Sequence, residues 1–452
     1  MGRPAPPPPR GAKKPPPPPE QPQDPYEFRT GEPRLLQAPG GTAPPAGRVV
    51  PIAMVTPLSG SRATSMQSRE EQTTTLAPTS TQGSEGVLEP VGILQEQYQS
   101  LCLKKSKRVN SYILHILQEA DEKIQNGEDR VTLNIPGNNR LIPVEKVTGE
   151  DFWLLCRVLR KNLNFQGLDM RYNSISDVGA YYASKLLQKK LNLTYLNLMF
   201  NEIGREGGEL IAKALYKNKT LKYLRMTGNK IENEGGMFFA AMLQINSSLE
   251  KLDLGDCDLG MQSVIAFATV LTQNQTVMGI NINRPVLYGE QEESTVHLSN
   301  MLKENYHLAE LHVCKHGITN YGMKYLCDAL FLNSSLRYLD VSWLSVVSNN
   351  IRGKGLVDLS QAMQENLVLS NIYIWGNKFD EATCVAYSDL IQTGRLQPDN
   401  TDVKPFVVDG RLYLAEISNG LKKHYYWTPT YGEISNDLAN AGFALVPVGQ
   451  QP

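Results

Sequence analysis

The groups that could do covalent or metal chemistry in this chain are six cysteines and six histidines, and their spacing argues against both. Cys102, Cys156, Cys257, Cys314, Cys327 and Cys384 contain no C-x-x-C pair, so neither a zinc site nor a disulfide framework is expected. His115, His297, His307, His312, His316 and His424 do not fall at ligand spacing either. No phosphate-binding GxxxxGK[ST], H-E-x-x-H, G-x-S-x-G or kinase signature occurs, so no enzymatic activity, cofactor or metal is expected. What recurs instead is the side-chain chemistry of protein interfaces. Tyr195, Tyr223 and Tyr338 return at one position of a repeating pattern, and Arg225, Tyr373 and Trp375 at adjacent ones. Tyr, Trp and Arg anchor interfaces, each worth on the order of 2 kcal/mol when central and desolvated. A second charged feature is LKKSKR, where Lys104, Lys105, Lys107 and Arg108 form a basic cluster suited to nuclear import or to a charged helix face.

The elements that must position those rings repeat every 28 residues. Phe165, Leu193, Leu221, Leu249 and Val277 are spaced by that interval, and further units begin at Leu308, Leu336 and Leu369. Each unit reads L-x-x-L-x-L-x-x-N-x-I-x-x-x-G and then a helical stretch ending A-x-x-L-x-x-N. In L-x-L, alternation buries the two leucines of a short strand and turns the residues between them to the other face. That places Asn197, Arg225, Asp253, Asn281, His312, Asp340 and Tyr373 in one register row, and Arg171, Met199 and Trp375 just after it. The asparagines at 173, 201, 229, 349 and 377 suit a buried ladder that satisfies turn backbone between strand and helix. One unit buries neither its strand nor its helix alone, so stability requires stacked neighbours.

The pattern resembles the leucine-rich repeats of the ribonuclease inhibitor type, also found in Ran GTPase-activating protein and at the C-termini of NOD-like receptors. The resemblance implies an α/β solenoid, a horseshoe with a parallel sheet on its concave side, binding a protein there. It covers Phe165 to about Gly394, and a degenerate unit with Leu133, Ile135 and Asn138 extends it upstream. Regulation of a GTPase or a nuclease is an alternative that the resemblance brings with it. Only six cysteines, and no acidic C-terminal run, set this chain apart from those two relatives. A structural part in an axonemal or cytoskeletal assembly is a third reading.

Four regions follow. Residues 1–90 hold most of the 28 prolines and a Ser/Thr/Gln-rich stretch, the composition of a disordered tail with local polyproline II that could meet SH3- or WW-type modules. Residues 91–130 carry apolar positions at helical spacing, 131–396 form the solenoid, and 397–452 read as a hairpin around Asp409-Gly410 with an aromatic cap at Tyr425, Tyr426, Trp427 and Tyr431. Two units depart from the period: Pro285 replaces an Asn with the next unit 31 residues on, and Trp343 to Val347 intrude after LRYLDVS, exposing Trp343 and Leu344 or merely lengthening a loop. The sequons at Asn218, Asn246, Asn274 and Asn333 belong to the helix-to-strand loop and are expected to stay unmodified. A formal net charge of -1 and no long apolar run argue for a soluble intracellular monomer that binds neither nucleic acid specifically nor a membrane. LKKSKR and the resemblance lead us to expect a nuclear and nucleolar pool beside a cytoplasmic one, in growing or differentiating cells.

Overall fold

The computed structural model describes residues 93–417, apart from 129, 140, 161, 190–191, 288–291 and 343–348. The tail 1–90, Trp343 and Leu344 of the insertion, and the aromatic stretch at Tyr425 to Tyr431 lie outside the described residues.

Two helices open the described chain, α1 (Leu94–Lys104) and α2 (Ser111–Gln125). Asn110 caps α2 by accepting the Ile113 N–H at 3.1 Å, and the α1 N-terminus is capped from its partner, with Leu94 and Gln95 N–H donating to the Asp121 carboxylate at 3.0 Å each. Anchoring two orphan amides on a carboxylate of the neighbouring helix fixes the pair as a unit. Their buried face, with Tyr98, Cys102, Tyr112, Ile113 and Leu117, joins the core of the first strand, and the Tyr112 hydroxyl donates to Pro136 O at 2.8 Å.

A nine-stranded parallel sheet follows, its strands in chain order: β1 (Val131–Asn134), β2 (Phe165–Asp169), β3 (Tyr195–Asn197), β4 (Tyr223–Arg225), β5 (Lys251–Asp253), β6 (Gly279–Asn281), β7 (Glu310–His312), β8 (Tyr338–Asp340) and β9 (Asn371–Tyr373). Each strand is followed by a helix in the same sequence: α3 (Gly149–Leu159), α4 (Asp177–Lys189), α5 (Arg205–Leu215), α6 (Glu232–Leu243), α7 (Met261–Leu271), α8 (Glu293–Glu304), α9 (Asn320–Leu330), α10 (Gly353–Glu365) and α11 (Glu381–Gln392). This is an α/β solenoid. Packed helix axes need 8–10 Å while hydrogen-bonded strands need about 4.8 Å, so the strands must take the inner radius of the stack. The degenerate unit is real as a strand, β1 pairing with β2, yet its Asn138 is exposed and takes no place in the ladder.

Two asparagine ladders hold successive units in register. In the first, each Nδ2 donates back one unit and within its own unit, as Asn229 does to Leu198 O at 2.8 Å and Met226 O at 2.7 Å, while its Oδ1 accepts the Ile203 N–H at 3.0 Å. Asn173 and Asn201 repeat this geometry. Where the motif lacks Asn, Cys257 donates its thiol to Met226 O and His316 Nε2 bonds Ile282 O at 2.9 Å. The second ladder lies in the helix-to-strand loops: Asn218, Asn246, Asn333 and Asn366 donate to carbonyls of the preceding unit's helix and accept amides two and three residues on. Both insertions leave the strands aligned, Gly279 opposite Glu310 and Tyr338 opposite Asn371, and Asn349 still reaches Val341 O at 3.0 Å.

The hairpin forms as β10 (Val403–Val408) and β11 (Arg411–Glu416), antiparallel, with Asp409 and Gly410 both at positive φ. It packs on α11, and Asp402 just before it accepts the N–H groups of Ile374 and Trp375 at 2.9 and 3.0 Å, closing the exit of β9.

Candidate functional site

Alternation along the three-residue strands divides the sheet into two faces. Leu196, Leu224, Leu252, Ile280, Leu311, Leu339 and Ile372 enter the single core shared with the helices. The residues flanking them leave by the opposite face, where Tyr338 and Tyr373 make an apolar pair of their own, separate from that core. Two rows therefore line the inner wall. One runs Gly167, Tyr195, Tyr223, Lys251, Gly279, Glu310, Tyr338, Asn371; the other runs Asp169, Asn197, Arg225, Asp253, Asn281, His312, Asp340, Tyr373.

Charge on this wall is paired across strands. Arg225 Nε lies 3.3 Å from Asp253 Oδ2, and the Thr227 hydroxyl donates to the same carboxylate. Lys251 Nζ lies 2.8 Å from Glu310 Oε2, although β6 separates their strands. Gly279 occupies the intervening position in that row, so no side chain blocks the lysine. Glu310 Oε1 also meets His312 Nε2 at 2.8 Å, and His312 Nδ1 faces Asp340 Oδ2 at 3.4 Å. The Ser342 hydroxyl donates to Asp340 Oδ1 at 2.6 Å. Aromatic rings continue the line, His312 to Tyr338 at 4.8 Å and Tyr338 to Tyr373 at 5.0 Å between centroids.

Burial sharpens this electrostatics. Desolvation opposes the ionised Glu310 but is outweighed by Lys251 and His312, which hold its pKa down to about 2. Desolvation likewise opposes the His312 imidazolium, yet hydrogen bonds to Asp340 and Glu310 lift its pKa to about 9. His312 is thus a cation at neutral pH, held between two carboxylates. Burial raises the Asp253 carboxyl in spite of Arg225, whose own guanidinium stays charged. His316, buried and bonded only to a backbone carbonyl, is pushed down to about 4, the behaviour of a neutral structural imidazole. None of this assembles a nucleophile with a base: Asp340 bridges serine and histidine, and burial drives the Cys257 and Cys314 thiols well above their usual range.

Of the residues picked out from sequence, Tyr195, Tyr223, Arg225, Tyr338 and Tyr373 share this face. They are less open than a strand register implies: Tyr223 is half-buried, and Tyr195, Arg225, Tyr338 and Tyr373 are buried. Burial lifts the Tyr195 hydroxyl to about 12. Trp375 stands apart, one residue past the sheet's last core position, packed on the helix-backed core with its ring edge-on to Phe379 at 5.8 Å. The register pattern of aromatics does not point to Lys251 and Glu310; the sequence signal for their pairing is Gly279 between a lysine and a glutamate of one register position.

The basic cluster occupies the exposed turn between α1 and α2. Lys107 pairs with Glu150 at 2.7 Å and Arg108 with Glu145 at 3.2 Å, while Lys105 reaches over the Trp153 ring and Lys104 ends α1. The sequon asparagines 218, 246 and 333 are buried in the second ladder, which leaves no room for a glycan. All six cysteines are buried and unpaired with one another. Among the described residues no helix is long and apolar enough to cross a membrane, and no cluster of potential metal ligands occurs.

A family model described as "Leucine Rich repeat" matches residues 189–212, 217–240 and 246–268. Leucine-rich repeat-containing protein 34 of Mus musculus is 62% identical over 79% of this chain and 99% of its own length. The Homo sapiens protein of that name is 64% identical over 80% of this chain and 90% of its own, and the Rattus norvegicus one 60% over 79% and 99%. Among solved structures, "Leiomodin-1 Actin-Binding Site 2 (ABS2)" aligns with 41% of this chain and 86% of that chain at 20% identity and a TM-score of 0.25. With repeats, register and relatives in agreement, the chain belongs to the family of leucine-rich repeat-containing protein 34.

Proposed function

We propose that this chain is a non-enzymatic scaffold that docks another protein on the inner wall of its sheet. The observation that carries the reading is the pair of strand rows just described. They present fixed rings and preset charges, Arg225, Lys251 and His312 against Asp253, Glu310 and Asp340, on the face opposite the helices. Groups already ordered by one another lose little entropy when a partner arrives, which favours specificity over bulk attraction. Affinity capture from native lysate with mass spectrometry, comparing the unaltered chain with Arg225→Ala and Tyr223→Ala variants of unchanged circular dichroism, tests it. Selective loss of one set of partners is expected; identical capture by all three chains refutes the reading.

The same proposal gives the chain a nuclear and nucleolar pool as well as a cytoplasmic one. Lys104, Lys105, Lys107 and Arg108 are all exposed, and surface pairs such as Lys107–Glu150 are worth at most about 1 kcal/mol, so a receptor displaces them readily. Replacing the four by alanine in a tagged chain should lower nuclear signal; an unchanged distribution removes the import role.

A further inference from the structure

The helix side of the first units carries cations that no carboxylate answers. Four acids lie on α1, α3 and α4. Glu150 pairs with Lys107, Asp151 accepts from the Thr148 hydroxyl, and Asp177 accepts the Gly204 and Gly207 amides, which leaves Glu96. Against it stand Lys104, Lys105, Arg157, Arg160, Lys185 and Lys189, all exposed, and among the described residues none of these six is ion-paired.

Rings hold three of these cations instead. Arg157 lies 4.8 Å and Lys105 5.9 Å from the Trp153 ring centroid, and Lys185 lies 5.1 Å from that of Tyr181. Trp153 to Tyr182 is 6.1 Å and Tyr182 to Tyr181 is 5.3 Å, so the cations share one aromatic line across α3 and α4. A ring orders a cation without neutralising it, and a cation already ordered loses less freedom when an anion arrives.

Arg157 also faces a concave feature. A groove of about 390 Å³ between α1 and α3 is lined by Gln97, Leu101, Arg157, Val158 and Arg160. Its apolar part is Leu101 and Val158, and its charged part is two guanidiniums, whose planar N–H forks fit carboxylates two bonds at a time. Nucleic acid suits this surface less well. The faces of Trp153 and Tyr181 are taken by cations, so they offer bases no free stacking platform, and a formal net charge of -1 supplies no wide positive field for a polyanion.

We propose that the α1–α3 groove is a second docking site, on the helix side of the solenoid, for an acidic peptide segment of a partner protein. One apolar side chain of that segment seats on Leu101 and Val158, and carboxylates beside it are held by Arg157 and Arg160, with the Trp153 ring fixing Arg157 in place. The site is independent of docking on the inner wall.

The test titrates the full chain with a fluorescein-labelled twelve-residue peptide carrying leucine at every third position and glutamate elsewhere, read by anisotropy. Arg157→Gln with Arg160→Gln is compared with Lys324→Gln and Lys354→Gln, exposed lysines on α9 and α10 whose loss changes the net charge equally. The arginine variant is expected to bind the peptide about tenfold more weakly than the unaltered chain, and the lysine variant to bind it as the unaltered chain does. A peptide with glycine in place of leucine, and a twelve-nucleotide oligouridylate, should both bind more weakly than the first peptide. With p-benzoylphenylalanine in place of one leucine, irradiation should crosslink the peptide to residues 94–104 or 149–160. Equal loss in the two variants reduces the effect to bulk charge and overturns the proposal, as do equal binding of the glycine peptide, tighter binding of the oligouridylate, or crosslinks confined to the inner wall. Self-association of the unaltered chain that the arginine variant abolishes, seen by sedimentation, would make the occupant a second copy and overturn it too.

Discussion

Asn229→Ala isolates what the inter-unit ladder contributes. The side chain is fully buried and makes three hydrogen bonds, to Leu198 O at 2.8 Å, to Met226 O at 2.7 Å and from Ile203 N–H at 3.0 Å. The carbonyls do not become orphans: Leu198 O keeps Asn201 Nδ2, and Met226 O keeps the Cys257 thiol. The Ile203 amide has no such reserve. Two lost donations at about 1 kcal/mol each, plus about 1–3 kcal/mol for one buried unpaired N–H, give a loss of roughly 3–5 kcal/mol. That is a large share of the 5–15 kcal/mol typical of a domain. Because units are stabilised by their neighbours, the loss should also split the transition, one side of β4 melting before the other. Urea denaturation followed by circular dichroism reads both effects. Asn229→Cys is the internal control, since Cys257 already fills the equivalent place one unit on, and it should cost less than alanine. An alanine variant within 1 kcal/mol of the unaltered chain, or a cysteine variant no better than alanine, refutes the ladder argument.

Other outcomes follow from the wall and the N-terminal helices. Lys251→Met should cost about 3–5 kcal/mol by stranding Glu310, and adding Glu310→Gln should recover part of it, a coupling that a double-mutant cycle in urea measures; simple additivity would deny the pair. His312 has a folded pKa of about 9, above its unfolded value near 6.5, so its contribution is complete below about pH 6.5 and fades as pH rises through 9. The stability gap between the unaltered chain and His312→Gln should therefore narrow over that window by roughly 3 kcal/mol, and a gap constant from pH 6 to 9.5 would contradict the charged imidazole. Asp121→Ala removes the acceptor of two α1 amides and should raise hydrogen exchange of Leu94 and Gln95 and lower stability by about 1–2 kcal/mol, whereas unchanged exchange would show that α1 needs no such cap.

How far the site could be read in advance depended on distance along the chain. Phe165, Leu193, Leu221, Leu249 and Val277 specified the stacked units, and alternation about Leu196 or Leu224 assigned Tyr195, Tyr223 and Arg225 to the face away from the helices, because both periodicities are properties of a few consecutive residues. Asn201 and Asn229 announced their ladder for the same reason, each bonding backbone at a fixed offset. Trp375 could not be placed that way: one residue beyond the regular strand, its direction is set by Phe379 and the Asp402 carboxylate. The pairing of Lys251 with Glu310 likewise joins residues 59 positions apart across a third strand, and it exists because Gly279 leaves the space between them open. Sequence alone therefore determined the repeat, the strand register and which side chains share a face. Only the stacking of units decided which charges on that face neutralise one another and how deeply they are buried, since both depend on neighbours that chain order brings together one whole repeat or more away.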